Sequence, residues 1–308
     1  MYEKHFIEGA VRRSATTEVD RRKLFTMLGI AGAGAAAATL GGASAANADT
    51  GPVDDGAVLN FALNLEYLEA EFYLRAVTGN GLTSADSGSG AGKVSGGHEV
   101  HFKSKIIAKY AREIARDERE HVRFLRGALG SAAVARPQIS LDAAFTAAAT
   151  AAGVIKKGQK FDAFANETNF LLGAFLFEDV GVTAYKGAAG LIANKTYLDA
   201  AAGILAVEAY HAAAVRSTLY AKSDSALNKT VQKLSDARML LSGKNADQGI
   251  THAGDSNIVP TDKNSIVFGR STGQVLNIVY LNTSGKAVEK GGFYPNGVNG
   301  GIRTSIGS

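Results

Sequence analysis

Two stretches of this chain follow one pattern: Asp117-Glu118-Arg119-Glu120-His121 and Glu208-Ala209-Tyr210-His211. In each, a histidine comes three residues after a glutamate, within a long segment of helical periodicity. Residues three apart on an α-helix differ by about 300° in direction and about 4.5 Å in rise, so the two side chains share one face. The pattern therefore predicts two helices that each direct a carboxylate and an imidazole toward one point.

Two further helical segments carry a glutamate followed seven residues later by a tyrosine, Glu66 with Tyr73 and Glu178 with Tyr185. The order Glu-Tyr, Glu-His, Glu-Tyr, Glu-His indicates an internal duplication of a helical hairpin. From two such hairpins we expect an all-α four-helix bundle with the metal-ligating side chains at its centre. The predicted metal ligands are Glu66, Glu118, His121, Glu178, Glu208 and His211.

The charge of these side chains is the argument for a metal site. Apolar neighbours predict that Glu178 and Glu208 are buried, and Ile114 and Val122 place an apolar face through Glu118. Four buried carboxylates cost several kcal/mol apiece unless they are compensated, and two divalent cations would balance them. Structural carboxylates without metal are the alternative, and Glu69 is the replacement ligand if Glu66 is not one.

The tyrosines are candidate catalytic residues. Tyr73 and Tyr185 lie two helical turns after their glutamates, and helical side chains lean toward the N-terminus, so each phenol can approach the metals without ligating them. A redox or hydrogen-bonding role follows from that position. A core tyrosine with a satisfied hydroxyl is the alternative.

The composition limits the function classes. The chain has 308 residues, 46% of them hydrophobic, which is enough for a sizeable core in one or two domains. Its formal net charge of +4 gives no reason to expect nucleic acid or a membrane surface as a partner. Because there is no cysteine, disulfides and thiolate sites are excluded. Glutamate and histidine ligands favour iron, manganese or zinc.

Residues 1–48 predict an export signal. The apolar run Leu24–Leu40 follows Arg21-Arg22-Lys23, which resembles a twin-arginine signal, and Ala46-Asn47-Ala48 fits a cleavage site. We therefore expect a periplasmic or secreted protein without a stable membrane span after signal removal. An uncleaved anchor is the alternative, since the run is only marginally long enough to span a bilayer.

The mature chain divides into a bundle, residues 49–221, and a Gly-rich C-terminal extension, residues 222–308, expected to cover it. A Gly-rich loop (79–97) and a short connecting helix (141–155) join the bundle helices. The predicted bundle helices are Ala57–Val77, His101–Leu129, a helix capped by Asp162 that runs to Ala188, and Thr196–Ala221. The extension has candidate helices at Ser225–Leu241 and Thr272–Leu281.

Two weaker patterns are not interpreted as sites. His98 and His101 have ligand-like spacing but lie in a polar stretch, which is typical of surface residues. Residues 88–93 have the glycines of a phosphate loop, but Val94 follows where serine or threonine is needed and no strand precedes them. We therefore expect a linker there.

The segments around the ligands resemble the ferritin-like superfamily, whose di-iron and di-manganese bundles use this ligand pattern. More narrowly, they are similar to the secreted desiccation-related ferritin-like proteins. The similar segments are residues 64–73, 117–122, 177–185 and 207–211, with 268–276 and 291–295 in the tail. The resemblance implies a ferritin-like bundle with a metal site, but no particular reaction.

Two functions are compatible with these observations. The first is an exported oxidoreductase with two transition-metal ions, iron or manganese, that handles ferrous iron, peroxide or dioxygen during stress. Its metals would lie about 3.5 to 4 Å apart, bridged by Glu118 and Glu208 or by Glu66 and Glu178. The second is a stress, desiccation or envelope structural protein in which the metals only stabilise the bundle. Assembly into a homo-oligomer is compatible with both.

Overall fold

The computed structural model describes residues 54–243 and 245–307. The predicted export signal, residues 1–48, lies outside them. The described chain is mostly helical, with two small two-stranded sheets, which confirms the all-α fold class. The helices are α1 (Asp55–Thr78), α2 (Ser84–Ser87), α3 (Lys105–Leu129), α4 (Ala143–Ala151), α5 (Glu167–Ala188), α6 (Lys195–Ala221), α7 (Ser225–Ser242) and α8 (Thr272–Val279). The strands are β1 (Val94–Ser95) and β2 (Ile139–Ser140), which are parallel, and β3 (Thr251–His252) and β4 (Asp255–Ser256), which are antiparallel.

The bundle consists of two helical hairpins. Helix α1 packs along α3, and α5 packs along α6; α1 also contacts α5, and α3 contacts α6. Every residue of α5 from Phe170 to Tyr185 is buried, as expected for a helix with apolar residues all round. Helix α3 is amphipathic instead and keeps its charged face in solvent. The duplicated hairpins predicted from the sequence thus face each other around a common centre.

Local capping sets helix ends that differ from the predicted ones. Helix α3 begins at Lys105 and not at His101, because the Ser104 hydroxyl accepts a hydrogen bond from the Ile107 amide at 3.3 Å. Helix α5 begins at Glu167, since Asn166 and not Asp162 is its N-cap. The connecting helix α4 is also shorter than predicted, covering only Ala143–Ala151.

Helix α6 is long and apolar enough to cross a membrane by length and composition alone. In the structure it packs against α5 and directs Glu208, His211 and Arg216 into the interior, where all three are buried. The helix is thus apolar in overall composition but carries three buried polar side chains on the face that packs in the bundle.

The C-terminal extension, residues 222–307 as described, packs on the bundle, as expected from the sequence. Helix α7 contacts α5, α6 and α8. The ring of Phe293 packs against Phe145 and Phe177 at centroid distances of 5.1 and 5.0 Å. The Tyr294 hydroxyl donates a 2.7 Å hydrogen bond to the carbonyl of Asn64, two residues before Glu66. The tail therefore supports α1 close to the candidate ligands.

Candidate metal centre

All six predicted ligand side chains meet inside the bundle. Helices α1, α3, α5 and α6 contribute one glutamate each, and none of these is more than 1% exposed. His121 and His211 are 9% and 6% exposed. The carboxylates therefore lie in a dry interior and not on the outer surface of the bundle. Their roles as metal ligands stay a prediction.

The side chains form two groups with one common member. The first contains Glu66, Glu118, His121 and Glu208, and the second contains Glu118, Glu178 and His211. Within each group, one ligand atom from every residue lies within 4.8 Å of the others.

The bridging pairs expected from the sequence, Glu118 with Glu208 or Glu66 with Glu178, stay a prediction. Only Glu118 belongs to both groups. Its Oε1 is 2.9 Å from Nδ1 of His211, and its Oε2 is 3.4 Å from Nδ1 of His121. Glu118 lies between the two imidazoles, and this position gives it access to both groups.

Several of these buried polar atoms make no hydrogen bond of good geometry within the described part of the chain, although ion pairs with the imidazoles bring some of them close. They are both carboxylate oxygens of Glu118 and of Glu208, Oε2 of Glu178 and Nδ1 of His211. A buried polar atom without a partner is costly, and so many at one point call for a ligand that accepts electron pairs. Carboxylate and imidazole donors at this spacing fit transition-metal ions. The residues present thus suit the metals that the fold implies.

The charges of Glu118 and the two histidines are strongly linked. Burial opposes ionisation of Glu118, but His121 and His211 hold the pKa of its carboxyl well below the usual range. Burial likewise opposes protonation of both imidazoles. The neighbouring carboxylates outweigh the effect of burial. Glu66 and Glu118 raise the pKa of His121 to about 12, and Glu178 and Glu118 raise that of His211 to about 12.

The other carboxyls are held toward the neutral form. Burial raises the pKa of Glu66 to about 7, although His121 acts in the opposite direction. Burial, together with the charges of Glu69, Glu118 and Glu178, raises the pKa of Glu208 well above its usual value. So many acidic groups in one dry space repel one another, and bound cations would relieve that repulsion.

The tyrosines connect the two hairpins crosswise. The hydroxyl of Tyr73 on α1 donates to Glu178 on α5, and the hydroxyl of Tyr185 on α5 donates to Glu66 on α1. Each phenol therefore contacts the glutamate of the opposite hairpin and not the one on its own helix. Burial and the nearby carboxylates raise the pKa of both phenols well above 10, so both remain protonated donors.

Glu69, the replacement ligand, is buried but belongs to neither group. Its carboxylate and that of Glu208 both lie close to Gly181 on α5. A Cβ at Gly181 would collide with Oε2 of Glu208 and would be 3.3 Å from Oε1 of Glu69. The absence of a side chain at Gly181 thus makes space for the carboxylate of Glu208. The sequence pattern alone does not indicate this role of the glycine.

The sequence analysis also missed a second carboxylate beside His211. Oδ2 of Asp117 lies 3.4 Å from Nε2 of His211, on the side of the imidazole away from the centre. Asp117 precedes Glu118 on α3, in a charged stretch that resembles a helix surface. Only the packing of α3 against α6 brings it to His211.

A buried ionic network lies immediately behind the centre. Asp179, which follows Glu178 on α5, pairs with Arg216 at 2.8 Å and with Arg238 at 2.7 Å. Asp247 pairs with Arg238 and with Arg270, both at 2.7 Å. All three arginines are at most 1% exposed. The members come from α5, α6, α7 and the tail, so no local motif indicates the network.

The weaker sequence candidates lie away from the centre. His98 is on the surface, as expected, but has a partner that was not foreseen, since its Nε2 is 2.9 Å from Oδ2 of Asp162. His101 is exposed. Residues 88–93 lie in a loop, and the part of the chain described before them, from residue 54 on, contains no strand.

The sequence profile of the ferritin-like domain family matches residues 54–221, the span that holds all four ligand-bearing helices. The chain belongs to the ferritin-like family. This ferritin-like chain is 29% identical over 241 residues to the desiccation-related protein PCC13-62 of Craterostigma plantagineum, covering 71% of this chain and 75% of the relative. It is 26% identical over 275 residues to the ferritin-like catalase Nec2 of Nesocodon mauritianus, covering 82% and 87%. No solved structure matches it.

Proposed function

We propose that this ferritin-like protein binds two transition-metal ions, iron or manganese, and acts as an oxidoreductase that decomposes peroxide. The observation that carries the proposal is the convergence of four buried carboxylates and two imidazoles, several of whose atoms make no hydrogen bond of good geometry, around the shared Glu118. When bound, a pair of redox metals supplies the two electrons that peroxide exchanges.

The protein groups have separate tasks in this proposal. Glu118 holds both imidazoles in place and contributes to both ligand groups. The phenols of Tyr73 and Tyr185 orient Glu178 and Glu66 and hold a proton next to each carboxylate. The apolar and aromatic layer around the bundle keeps bulk water from the centre, which strengthens these electrostatic interactions.

Similarity to a ferritin-like catalase supports peroxide as the substrate. In that reaction two molecules of hydrogen peroxide yield two of water and one of dioxygen, so one peroxide is reduced and the other oxidised. No further reductant is needed, which suits a protein outside the cytoplasm.

The experiment is metal loading followed by turnover. Protein loaded with Mn²⁺ or Fe²⁺ should hold close to two ions per chain by element analysis and should evolve dioxygen from peroxide. Glu118→Gln should lose both properties, whereas Glu120→Gln, with a side chain 53% exposed on the same helix, should keep both. Wild-type protein that binds no metal, or that binds two ions without breaking down peroxide, would overturn the proposal.

A second candidate is a metal-stabilised structural protein. The near-complete burial of the six side chains and the similarity to a desiccation-related protein favour it. In that case the free energy of metal binding becomes folding free energy. Chelation would then lower the melting temperature, and the metal-loaded protein would show no turnover.

We also propose export by the twin-arginine route, which accepts folded proteins and would allow metal loading before transport. The supporting feature is Arg21-Arg22 ahead of an apolar run. Replacing both arginines with lysine should leave the protein in the cytoplasm of a bacterial host, as judged by fractionation. Unchanged export of that variant would contradict the route.

A further inference from the structure

The outward faces of α3 and α6 differ, although the duplication makes these two helices equivalent. Glu118 corresponds to Glu208 and His121 to His211, so equivalent positions lie 90 residues apart. Five exposed residues on the outward face of α3 are charged: Arg112, Glu113, Arg116, Glu120 and Arg123. Their equivalents on α6 are all uncharged: Ala202, Gly203, Ala206, Tyr210 and Ala213. The outward face of α3 thus suits water, and that of α6 does not.

Helix α6 carries no charge on its outward face between Ala200 and Ala221. Apart from His211, the only acidic or basic residues in that stretch are Glu208 and Arg216, and all three are buried. Tyr210, by contrast, is 77% exposed. An uncharged surface of this length, where the equivalent helix is charged, marks a contact with another molecule.

The outward residues of α6 have the spacing of a coiled-coil seam. They follow one another at intervals of three and four: Gly203, Ala206, Tyr210, Ala213, Ser217 and Tyr220. A mean period of about 3.5 residues keeps such a stripe against a second helix over several turns. Most of these residues are small and leave room for the side chains of that second helix. The face therefore fits another helix packed along its length.

A groove beside α6 enlarges this surface. Its volume is about 680 Å³, and it lies between the first turns of α3 and the last turns of α6. Ile106 and Tyr110 of α3 line the groove and are 61% and 41% exposed. The uncharged face of α6 is therefore continuous with exposed apolar side chains of α3.

The charges at the two ends of the face indicate that its partner is a second copy of this chain. Asp199 is exposed just before the face, and Lys222, beside Glu167, has a side chain 28% exposed just after it. Two parallel copies of α6 would oppose like charges at both ends. In an antiparallel pair, Asp199 of each copy lies beside Lys222 of the other, and the large Tyr210 packs against the small Ala213 of the other. One surface can thus supply both sides of a twofold interface.

We propose that two copies of this chain associate through the outward faces of α6, antiparallel and with the twofold axis close to Tyr210 and Ala213. Tyr210 is the central anchor, because a large aromatic side chain near the middle of an interface contributes most of its affinity. The face is directed away from the candidate ligands, so the proposal does not depend on the metal centre.

The first experiment gives α6 the outward charges of α3. Wild-type protein should sediment as a dimer. Tyr210→Glu alone, and the triple variant Ala206→Arg, Tyr210→Glu and Ala213→Arg, should weaken self-association at least about 30-fold, as measured by sedimentation. Both should keep the helix content of wild type by circular dichroism, since α3 carries the same charges at the equivalent positions. Leu240→Glu is the matched control, because Leu240 is 78% exposed on α7, and it should leave the dimer intact.

The second experiment tests the antiparallel arrangement, and a chain without cysteine makes it unambiguous. A mixture of Ala206→Cys and Ser217→Cys should be joined by a short bis-maleimide cross-linker. Neither variant should cross-link to itself, because each cysteine and its own copy would be about 16 Å apart along the helices. Parallel helices would reverse this result.

Three results would overturn the proposal. They are wild-type protein that sediments as a monomer, a charged variant that dimerises as wild type does, and cross-linking of Ala206→Cys to itself. Monomeric wild-type protein that binds phosphatidylcholine vesicles, with binding lost in Tyr210→Glu, would replace the second copy by a lipid surface.

Discussion

Arg238 on α7 donates a 2.7 Å hydrogen bond from Nη2 to Oδ2 of Asp179 on α5, a residue 59 positions earlier in the chain. Arg238 is fully buried and Asp179 is 6% exposed. Because Asp179 follows Glu178 directly, the contact joins the C-terminal segment to the helix that carries a candidate ligand.

Loss of this carboxylate should destabilise the fold. Asp179→Ala removes the carboxylate paired with Arg216 and one of the two paired with Arg238, and breaking a buried pair from one side costs about 3–5 kcal/mol. The free energy of unfolding by denaturant measures it. Glu120→Ala, which removes an exposed pair with Arg123, should cost about 1 kcal/mol or less. Similar costs for both variants would contradict the importance of the network.

The space left by Gly181 should be essential to the metal centre. Gly181→Ala places a methyl group against the carboxylate of Glu208 and should reduce the metal content below two ions per chain. Gly203→Ala on α6, where no atom lies near the added methyl, should instead stabilise the helix by about 0.8–1.0 kcal/mol. Element analysis and thermal unfolding measure the two effects. Full metal content in Gly181→Ala would show that Glu208 is not needed.

Removal of metal should lower the melting temperature of the wild type. An ion present at 100 times its dissociation constant stabilises the folded state by about 2.7 kcal/mol. In Glu208→Gln the response to chelator should be smaller. Its metal-free form should melt no lower than metal-free wild type, because a neutral amide relieves repulsion among the buried carboxylates. Melting curves with and without chelator test this, and a full wild-type response in Glu208→Gln would contradict it.

The phenols should matter for turnover more than for metal binding. Tyr73→Phe and Tyr185→Phe remove donors to Glu178 and Glu66 and should slow peroxide breakdown by about 10²-fold, with two ions still bound. Tyr67→Phe is the control, because that hydroxyl donates to the carbonyl of Val134, away from the ligands. It should keep wild-type turnover. Unchanged rates in both test variants would leave the tyrosines with a packing role.

The surface pair of His98 with Asp162 should make stability depend on pH. The hydrogen bond from His98 to Asp162 raises the pKa of the imidazole above its value of about 6.5 in the unfolded chain. The folded state thus binds the proton more tightly. The added stability is complete below about pH 6.5 and is lost as pH rises through the folded pKa. Nuclear magnetic resonance titration of His98 should show the raised pKa in wild type and a lower value in Asp162→Asn.

The four bundle helices and the six central side chains follow from two local periodicities. Apolar spacing gives the helices, and Glu-x-x-His gives two residues on one face, both readable within a few turns. The chain shows Glu178 and Glu208 amid apolar neighbours, so their burial was also predictable. The helix starts were less predictable, because several nearby polar residues compete to cap each helix.

Contacts between distant parts of the chain were not predictable. Asp117 is 94 positions from His211, and Tyr73 is 105 positions from Glu178, so their contacts depend on how the hairpins pack. For the same reason the sequence does not indicate that Glu118 is the residue common to both ligand groups. The pattern identifies the helix face, but not the pairing of atoms across the bundle.

The family match ends at Ala221, yet the guanidinium groups of Arg238 and Arg270 come from beyond it. The bundle helices therefore do not supply all of the positive charge that neutralises Asp179. Part of it comes from Arg238, which follows them in the chain. A gene fragment trimmed to the matched span would yield a hairpin pair with an exposed apolar flank and an under-neutralised acid. We therefore expect the matched span alone to be less stable than the full chain.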